Sequence, residues 1–199
     1  MSIPKPLRMT ADEFLAWALE QPTGRYELAA GEVIAMAPER AAHVLVKMAA
    51  AQALEDAVAA ASLPCQVFAD GMAVRIDDGT VHEPDASLRC GPKLPGDALV
   101  LPDPLVVVEV LSPSSRAQDS GAKLEAYFRL PSVRHYLIVN TETRAVIHHA
   151  RAADGAIATR IHAAGDAAVG DAASGDAGGE LRLDPPGLVL RPADFFARL

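Results

Sequence analysis

Apolar residues recur at helical spacing in three segments of the chain. Phe14, Leu15, Ala18 and Leu19 follow this spacing, and with the capping-box pair Thr10 and Glu13 they predict a helix from about Ala11 to Glu20. An Ala-, Leu- and Glu-rich stretch without Gly or Pro predicts a longer helix from Ala41 to Ala61. The stripe of Leu124, Tyr127 and Phe128 predicts a third helix from about Gln118 to Leu130.

Short apolar runs between turn residues predict strands around these helices. The predicted strand regions are Arg25 to Pro38 with a turn at Ala29 to Gly31, Cys65 to Ile76 and Val81 to Cys90 about the turn Asp77 to Gly79, Leu105 to Val110, His135 to Arg151 with a turn at Asn140 to Thr143, and Leu181 to Leu190 before a short terminal helix at Pro192. The order strand, helix, strand from Leu105 to Asn140 is typical of a right-handed crossover.

The length of the chain and its apolar content predict one domain with a substantial core. The chain has 199 residues, of which 50% are hydrophobic, and it shows no internal repeat. Residues 152–180 carry Gly, Ala and Asp in place of large apolar side chains, so we expect a flexible hairpin or insertion within the single domain 1–199.

The composition also excludes several classes of protein. No apolar run is long enough to span a membrane, and Asp12 and Glu13 interrupt the one candidate leader segment, so a soluble, cytoplasmic protein is expected. Two cysteines, Cys65 and Cys90, lie far apart, which predicts plain core or strand-end residues and neither a zinc site nor a disulfide framework. The net charge of −8 argues against a broad basic surface that binds nucleic acid.

One acidic residue stands inside the most apolar strand of the chain. The stretch PLVVVEVLSPSS, residues Pro104 to Ser115, reads as a strand buried on both faces with Glu109 near its end. An ionised carboxylate there costs several kcal/mol, roughly, unless a charged or strongly hydrogen-bonding partner meets it. A core arginine would be a purely structural partner, and a bound cation would be a functional one.

Three side chains fall into a pattern that suits a metal-dependent reaction on a phosphodiester. Asp85 follows Pro84 at an interruption of one strand, Glu109 lies in the next strand, and Lys123 lies in the helix after it. Two carboxylates on adjacent strands can hold Mg²⁺, and a nearby lysine can orient a water, assist its deprotonation or stabilise charge on a phosphate.

Each of these residues also has a structural interpretation. Asp85 could bond its own backbone at a turn. Asp119 and Lys123 are four residues apart, which is typical of a solvated ion pair on a helix surface. Tyr127 is expected to pack in the core with its hydroxyl in reach of the site.

Residues outside this pattern are weaker candidates. Arg116 either contacts phosphate or is a plain loop residue. His82, His148 and His149 lack the sequence context of metal ligands.

The stretch from EPDASLRCGP through PLVVVEVLSPSSRAQDSGAKLEAYFRLPSVRHYLIV resembles the PD-(D/E)xK nuclease superfamily, specifically its Uma-type branch of restriction endonuclease-like proteins. The upstream RYELAAGEVIAMAP is similar to that branch as well, so the resemblance covers roughly Arg25 to Val139. It implies an α/β (mixed α+β) fold with a central mixed β-sheet flanked by helices.

The resemblance also implies roles for individual residues. Asp85, Glu109 and the backbone carbonyl of Val110 are the expected metal ligands, and Mg²⁺ or Mn²⁺ is the expected ion. The superfamily commonly carries its lysine two residues after the glutamate, where this chain has Leu111; Lys123 is the expected substitute. Glu27 matches an upstream glutamate of the branch and is expected to complete the metal shell or bind a second ion.

Two functions from different classes follow. The first is a Mg²⁺- or Mn²⁺-dependent endonuclease that cleaves DNA with Asp85, Glu109, Lys123 and Glu27; RNA or another phosphate ester is a weaker alternative substrate. The second is a non-catalytic binding or regulatory protein that retains the nuclease fold, which the acidic balance favours. A homodimer is a further expectation, and an Asp85 paired with a basic side chain, without room for an ion, would favour the second function.

Overall fold

The structure, a computed structural model, describes residues 8–111, 118–164 and 179–199, and for residues 118–120 it describes the backbone alone. Its helices are α1 (Ala11–Leu19), α2 (Ala41–Ala61) and α3 (Gln118–Arg129), followed by a 3-10 helix (Pro192–Phe196). Its strands are β1 (Tyr26–Ala29), β2 (Glu32–Ala35), β3 (Cys65–Ala69), β4 (Val74–Asp77), β5 (Thr80–His82), β6 (Ala86–Cys90), β7 (Val106–Leu111), β8 (His135–Asn140), β9 (Ala145–Arg151), β10 (Ile157–Ala163), β11 (Leu181–Leu183) and β12 (Leu188–Leu190). The three predicted α-helices are confirmed, and so is the capping box of α1, in which Thr10 and Glu13 bond each other's backbone amides.

A central mixed sheet carries the fold. Six strands lie in the order β10-β9-β8-β7-β6-β3, and only the central pair β7 and β8 is parallel. Helix α3 joins these two parallel strands, as the crossover prediction requires. A second, antiparallel sheet has the order β2-β1-β5-β4, and β11 pairs with β12.

Strand β7 is buried on both faces, as its continuous apolar sequence predicts. Val106, Val108 and Val110 pack in the cluster that includes Val46 and Leu54 of α2. Val107 packs in the opposite cluster with Tyr127 of α3. Because successive side chains of a strand point to opposite faces, Glu109 shares the α3 face with Val107.

The segment between α2 and β6 divides between the two sheets, although the sequence predicts a strand region from Cys65 to Ile76 without an internal turn. Asp70 and Gly71 have positive φ values of 52° and 74°, and the chain turns there from β3 in the six-stranded sheet to β4 in the four-stranded one. A side chain strains a left-handed backbone, which explains the glycine at this turn. At this turn the Asp70 amide donates to the carbonyl of Asp85, the residue before β6, at 3.1 Å.

The structure differs from the predictions for the two cysteines and for part of residues 152–180. Cys65 and Cys90 lie directly opposite each other on β3 and β6 and form a disulfide, so the prediction of unpaired cysteines is wrong. Within 152–180, residues 157–163 form strand β10, paired along its length with β9, and residues 165–178 lie outside the described residues. None of the described helices is long and apolar enough to cross a membrane.

Candidate active site

Glu109 is met by two side chains of helix α3. The Lys123 ammonium lies 3.1 Å from the Glu109 carboxylate, and the Tyr127 hydroxyl donates to the same oxygen at 2.7 Å. Lys123 and Tyr127 are four residues apart, so both reach β7 from one face of the helix. Lys123 is buried, and the interpretation of this lysine as part of a solvated surface pair is therefore wrong.

Glu27 of β1 holds the other side of Lys123. Its carboxylate lies 3.0 Å from the Lys123 ammonium, accepts the Glu83 amide at 3.0 Å and lies 3.5 Å from Nδ1 of His82. Burial acts to raise the pKa of Glu27, but the neighbouring imidazole of His82 and the charge of Lys123 outweigh it and lower the pKa to about 2. Glu27 of the four-stranded sheet and Glu109 of the six-stranded sheet thus contact the same ammonium, that of Lys123.

The pKa values of the Glu109–Lys123 pair are strongly shifted. Burial raises the pKa of Glu109 to about 7, and the negative charges of Asp85 and Glu27 add to that rise against the opposing charge of Lys123. Burial acts to lower the pKa of Lys123, but the charges of Glu109 and Glu27 outweigh it and raise this pKa. The lysine is therefore held as an ammonium at neutral pH.

Asp85 is met from the opposite side of the sheet, by helix α2. The Lys47 ammonium lies 2.9 Å from Oδ1 of Asp85, and Nε2 of His43 lies 3.5 Å from Oδ2. The Val110 amide of β7 donates to Oδ2 at 2.7 Å. Asp85 thus bonds the neighbouring strand and not its own turn, and it connects the groups on α2 to the residue that follows Glu109.

Lys47 is itself the centre of a charged network. Its side chain is 5% exposed and lies 2.6 Å from Glu39 and 2.9 Å from Asp70. Burial acts to lower the pKa of Lys47, but the charge of Asp85 and the hydrogen bonds to Asp70 and Glu39 outweigh it and raise this pKa. Arg25 contacts Asp70 at 2.9 Å and Glu39 at 3.1 Å, so it extends the network toward the surface.

Sequence reasoning missed Lys47, His43 and Arg25. A signal for the first two was present, since they lie four residues apart on a helix whose other residues are mostly apolar. Arg116 and Ser112 to Ser115 lie outside the described residues, as does the side chain of Asp119. His148 and His149 are buried in β9, and neither belongs to Glu39, His43 and Asp85, the group of described residues whose ligand atoms are close enough together to hold a cation.

Comparisons with known proteins agree with this fold. The chain superposes on the crystal structure of a "putative nuclease belonging to DUF820" from Anabaena variabilis with a TM-score of 0.66 and 16% identity, covering 98% of each chain. It is 26% identical to an uncharacterised protein of Synechocystis over 141 residues, which are 70% of this chain and 72% of the relative.

The fold, a central mixed sheet flanked by helices, is therefore shared with that solved structure. A family model described as "Putative restriction endonuclease" matches residues 11–175, and the chain belongs to this family, Uma2. The resemblance inferred from the sequence is confirmed.

Proposed function

We propose that the protein is a metal-dependent endonuclease that hydrolyses phosphodiester bonds of DNA. The main support is the buried meeting of Glu27, Glu109 and Lys123, contributed by two sheets and a helix. Such a cluster is costly to bury, and buried groups with strongly shifted pKa values are frequent at catalytic sites. Membership of the Uma2 family supports the same reaction class.

The residues present suit a hard divalent cation. Burial is the main cause of the raised pKa of Glu109, and the negative charge of Asp85 adds to that rise, so a cation bound to both carboxylates would offset part of it. The proposed ligands are these two carboxylates and the carbonyl of Val110, an all-oxygen set of the kind that Mg²⁺ prefers, with Mn²⁺ as the alternative. When bound, the ion would supply an acidified water and charge neutralisation at the phosphate.

The chain's own residues divide the remaining work. Lys123 stays protonated, so its proposed role is to orient the water and stabilise charge on the phosphate, and not to accept a proton. Glu27 holds the ammonium in place from the side opposite to Glu109. Tyr127 fixes the orientation of the Glu109 carboxylate through its hydrogen bond.

The test is cleavage of supercoiled plasmid, single-stranded DNA and RNA in Mg²⁺, in Mn²⁺ and in EDTA. We expect the wild type to cut DNA only with metal, Asp85→Asn to lose the activity, and Asp97→Asn, at an exposed loop position, to keep it. A folded wild type that cuts none of these substrates contradicts the proposal, and so does an Asp85→Asn variant as active as the wild type.

One observation favours a second function, that of a non-catalytic binding or regulatory protein. Asp85 is paired with the buried ammonium of Lys47, the kind of partner expected where a nuclease fold has lost its metal. Binding of labelled DNA without cleavage, measured by fluorescence anisotropy and unchanged by EDTA, would support this second function. The oligomeric state, for which a homodimer is expected, can be measured in the same samples by light scattering.

A further inference from the structure

We propose that His43, Glu39 and Asp85 form a cation position whose imidazole ligand makes the protein select Mn²⁺ over Mg²⁺. The position shares Asp85 with the proposed nuclease site, and the proposal therefore rests on, and deepens, the proposed function. The ligands proposed above are all oxygens, and His43 would add a nitrogen ligand that sets the metal preference of the site.

The three side chains can reach one ion. One ligand atom from each of them lies within 4.8 Å of the others. Nε2 of His43 and Oδ2 of Asp85 are 3.5 Å apart. Two ligands of one ion at about 2.1 Å are roughly 3.0–3.4 Å apart in octahedral or tetrahedral geometry, so a small movement suffices for both to bind.

His43 is not a fully satisfied core histidine. Its Nδ1 is buried and has no hydrogen-bond partner within the described parts of the chain. By contrast, both ring nitrogens of His135 have partners, at 2.9 Å on His148 and 2.8 Å on the carbonyl of Pro185. A buried histidine usually has its nitrogens satisfied; at His43 the unpartnered nitrogen is Nδ1, and Nε2 is the nitrogen that lies 3.5 Å from Asp85 and would bind a cation there.

Lys47 leaves part of Asp85 open to a cation. The ammonium lies 2.9 Å from Oδ1, whereas Oδ2 faces His43 and the amide of Val110. A carboxylate oxygen has more than one lone pair, so Oδ2 can bind a cation while it accepts the amide. The ammonium of Lys47 also lies 2.6 Å from Oε1 of Glu39, so a cation at this position would share Glu39 with Lys47 or displace it.

The charge balance around Asp85 calls for a divalent cation. Within the described residues the network comprises four carboxylates and two basic groups besides the imidazole of His43, and the charges of these six groups sum to −2. Its members are Glu39, Asp70, Glu83, Asp85, Arg25 and Lys47. A bound divalent ion would neutralise this excess, part of which is buried and so poorly screened by solvent.

The ligand chemistry sets the metal preference. Mg²⁺ favours oxygen ligands and dehydrates reluctantly, whereas affinity for nitrogen-containing sites rises along the first-row divalent metals. A mixed set of one imidazole and two carboxylates accordingly favours Mn²⁺ over Mg²⁺. Mn²⁺ is also a paramagnetic probe, so a bound nitrogen can be detected directly.

Titration calorimetry with each ion, and electron spin-echo envelope modulation of bound Mn²⁺, test the proposal on the full chain. The wild type is expected to bind Mn²⁺ at least about tenfold more tightly than Mg²⁺ and to show imidazole nitrogen modulation. His43→Gln, which keeps a hydrogen-bonding side chain, is expected to lose the modulation and the Mn²⁺ preference while it still binds Mg²⁺. His149→Gln, at a histidine bonded to Thr159, is the matched control and is expected to behave as the wild type.

The outcomes separate this proposal from the proposed function. Nitrogen modulation that depends on His43, in a protein that cuts no DNA, supports the cation position and overturns the nuclease function. Metal-dependent cleavage by a wild type whose bound Mn²⁺ shows no imidazole modulation overturns the cation position alone. This outcome is measured on the wild-type protein, so it does not depend on whether a variant folds.

Discussion

At the scale of single residues, two buried lysines divide the acidic side chains of the site between them. Lys123 of α3 forms ion pairs with Glu27 and Glu109, and Lys47 of α2 forms an ion pair with Asp85. Removing one member of a buried ion pair leaves the partner charge without compensation, which costs more than the pair contributes in net stability. Each lysine therefore supplies the counter-charge of its carboxylates when no cation is bound, and it would compete with a cation for the same carboxylates.

Lys47→Met is predicted to destabilise the protein without metal by about 3 kcal/mol, because Asp85 and Lys47 are 6% and 5% exposed and the aspartate would lose its main counter-charge. Saturating Mn²⁺ should reduce the gap in free energy of unfolding between the variant and the wild type. The ion would replace the missing positive charge, and ligand binding stabilises the folded state. Chemical denaturation with EDTA and with Mn²⁺ measures both effects.

Lys93→Met is the control for that experiment, because Lys93 is exposed in a loop. Its effect should stay within about 0.5 kcal/mol, with or without metal. If the deficit of Lys47→Met were the same in Mn²⁺ and in EDTA, competition between the lysine and a cation would be refuted.

At the scale of elements, the disulfide joins an edge strand to the strand that positions Asp85. Cys65 and Cys90 are paired residues of β3 and β6, and the chain between them contains β4, β5 and Asp85 itself. A covalent link across this segment restricts the unfolded chain and holds the β3 edge in place. In a reducing compartment the pair would be a dithiol, and the protein would lack that contribution.

Reduction of the disulfide is predicted to lower the free energy of unfolding by about 3.5 kcal/mol, the value expected for a sequence separation of 25 residues. Denaturation with and without reductant measures the loss. The double variant Cys65→Ser/Cys90→Ser should have the same free energy of unfolding as the reduced protein, and reductant should not change it. Labelling of both cysteines by a thiol reagent in unfolded, unreduced protein would contradict the prediction.

The elements also show which local features the sequence could predict. Helix α2 has its predicted bounds, Ala41–Ala61, because composition and the flanking breakers determine a long helix locally. The turn at Asp70 was missed because it depends on which of two sheets accepts each half of the segment. The disulfide was missed for the same reason, since it requires the long-range pairing of β3 with β6.

At the scale of the whole molecule, a cluster of buried histidines joins the central sheet to the C-terminal hairpin. His148 bonds His135, which bonds the carbonyl of Pro185 between β11 and β12. Burial lowers the pKa of His148 from its usual 6.5 to about 3, and the charges of His135, His162, Arg160 and His149 act in the same direction. The folded protein therefore keeps His148 neutral where the unfolded chain would protonate it.

This difference predicts acid-sensitive stability. Between about pH 7 and pH 4 the unfolded state binds a proton at His148 that the folded state does not, so the free energy of unfolding falls as the pH falls. Carboxylates titrate in the same range, and the comparison with His148→Gln isolates the histidine. The wild type should lose stability relative to this variant as the pH is lowered; a constant difference over that range would refute the prediction.

The sequence predicts those site residues that lie on consecutive elements of the chain, and it does not predict those that tertiary packing brings to the site. Asp85, Glu109 and Lys123 were identifiable because their strand, strand and helix are consecutive along the chain and carry the family pattern. Lys47 and His43 were not identified, since a lysine and a histidine on an Ala-rich helix resemble surface residues until the helix is packed against β6 and β7. Their role depends on tertiary packing, which spacing alone does not encode.

The two edges of the six-stranded sheet differ, and this difference has a dynamic consequence. Strand β10 is exposed along nearly its whole length and, among the described strands, pairs with β9 alone, whereas β3 is linked covalently to β6. Transient local opening costs least where a strand has few buried contacts, so we expect fraying to begin at β10. Fluctuations would then fade across the sheet toward β7, and the carboxylates of the site would stay preorganised while the far edge opens and closes.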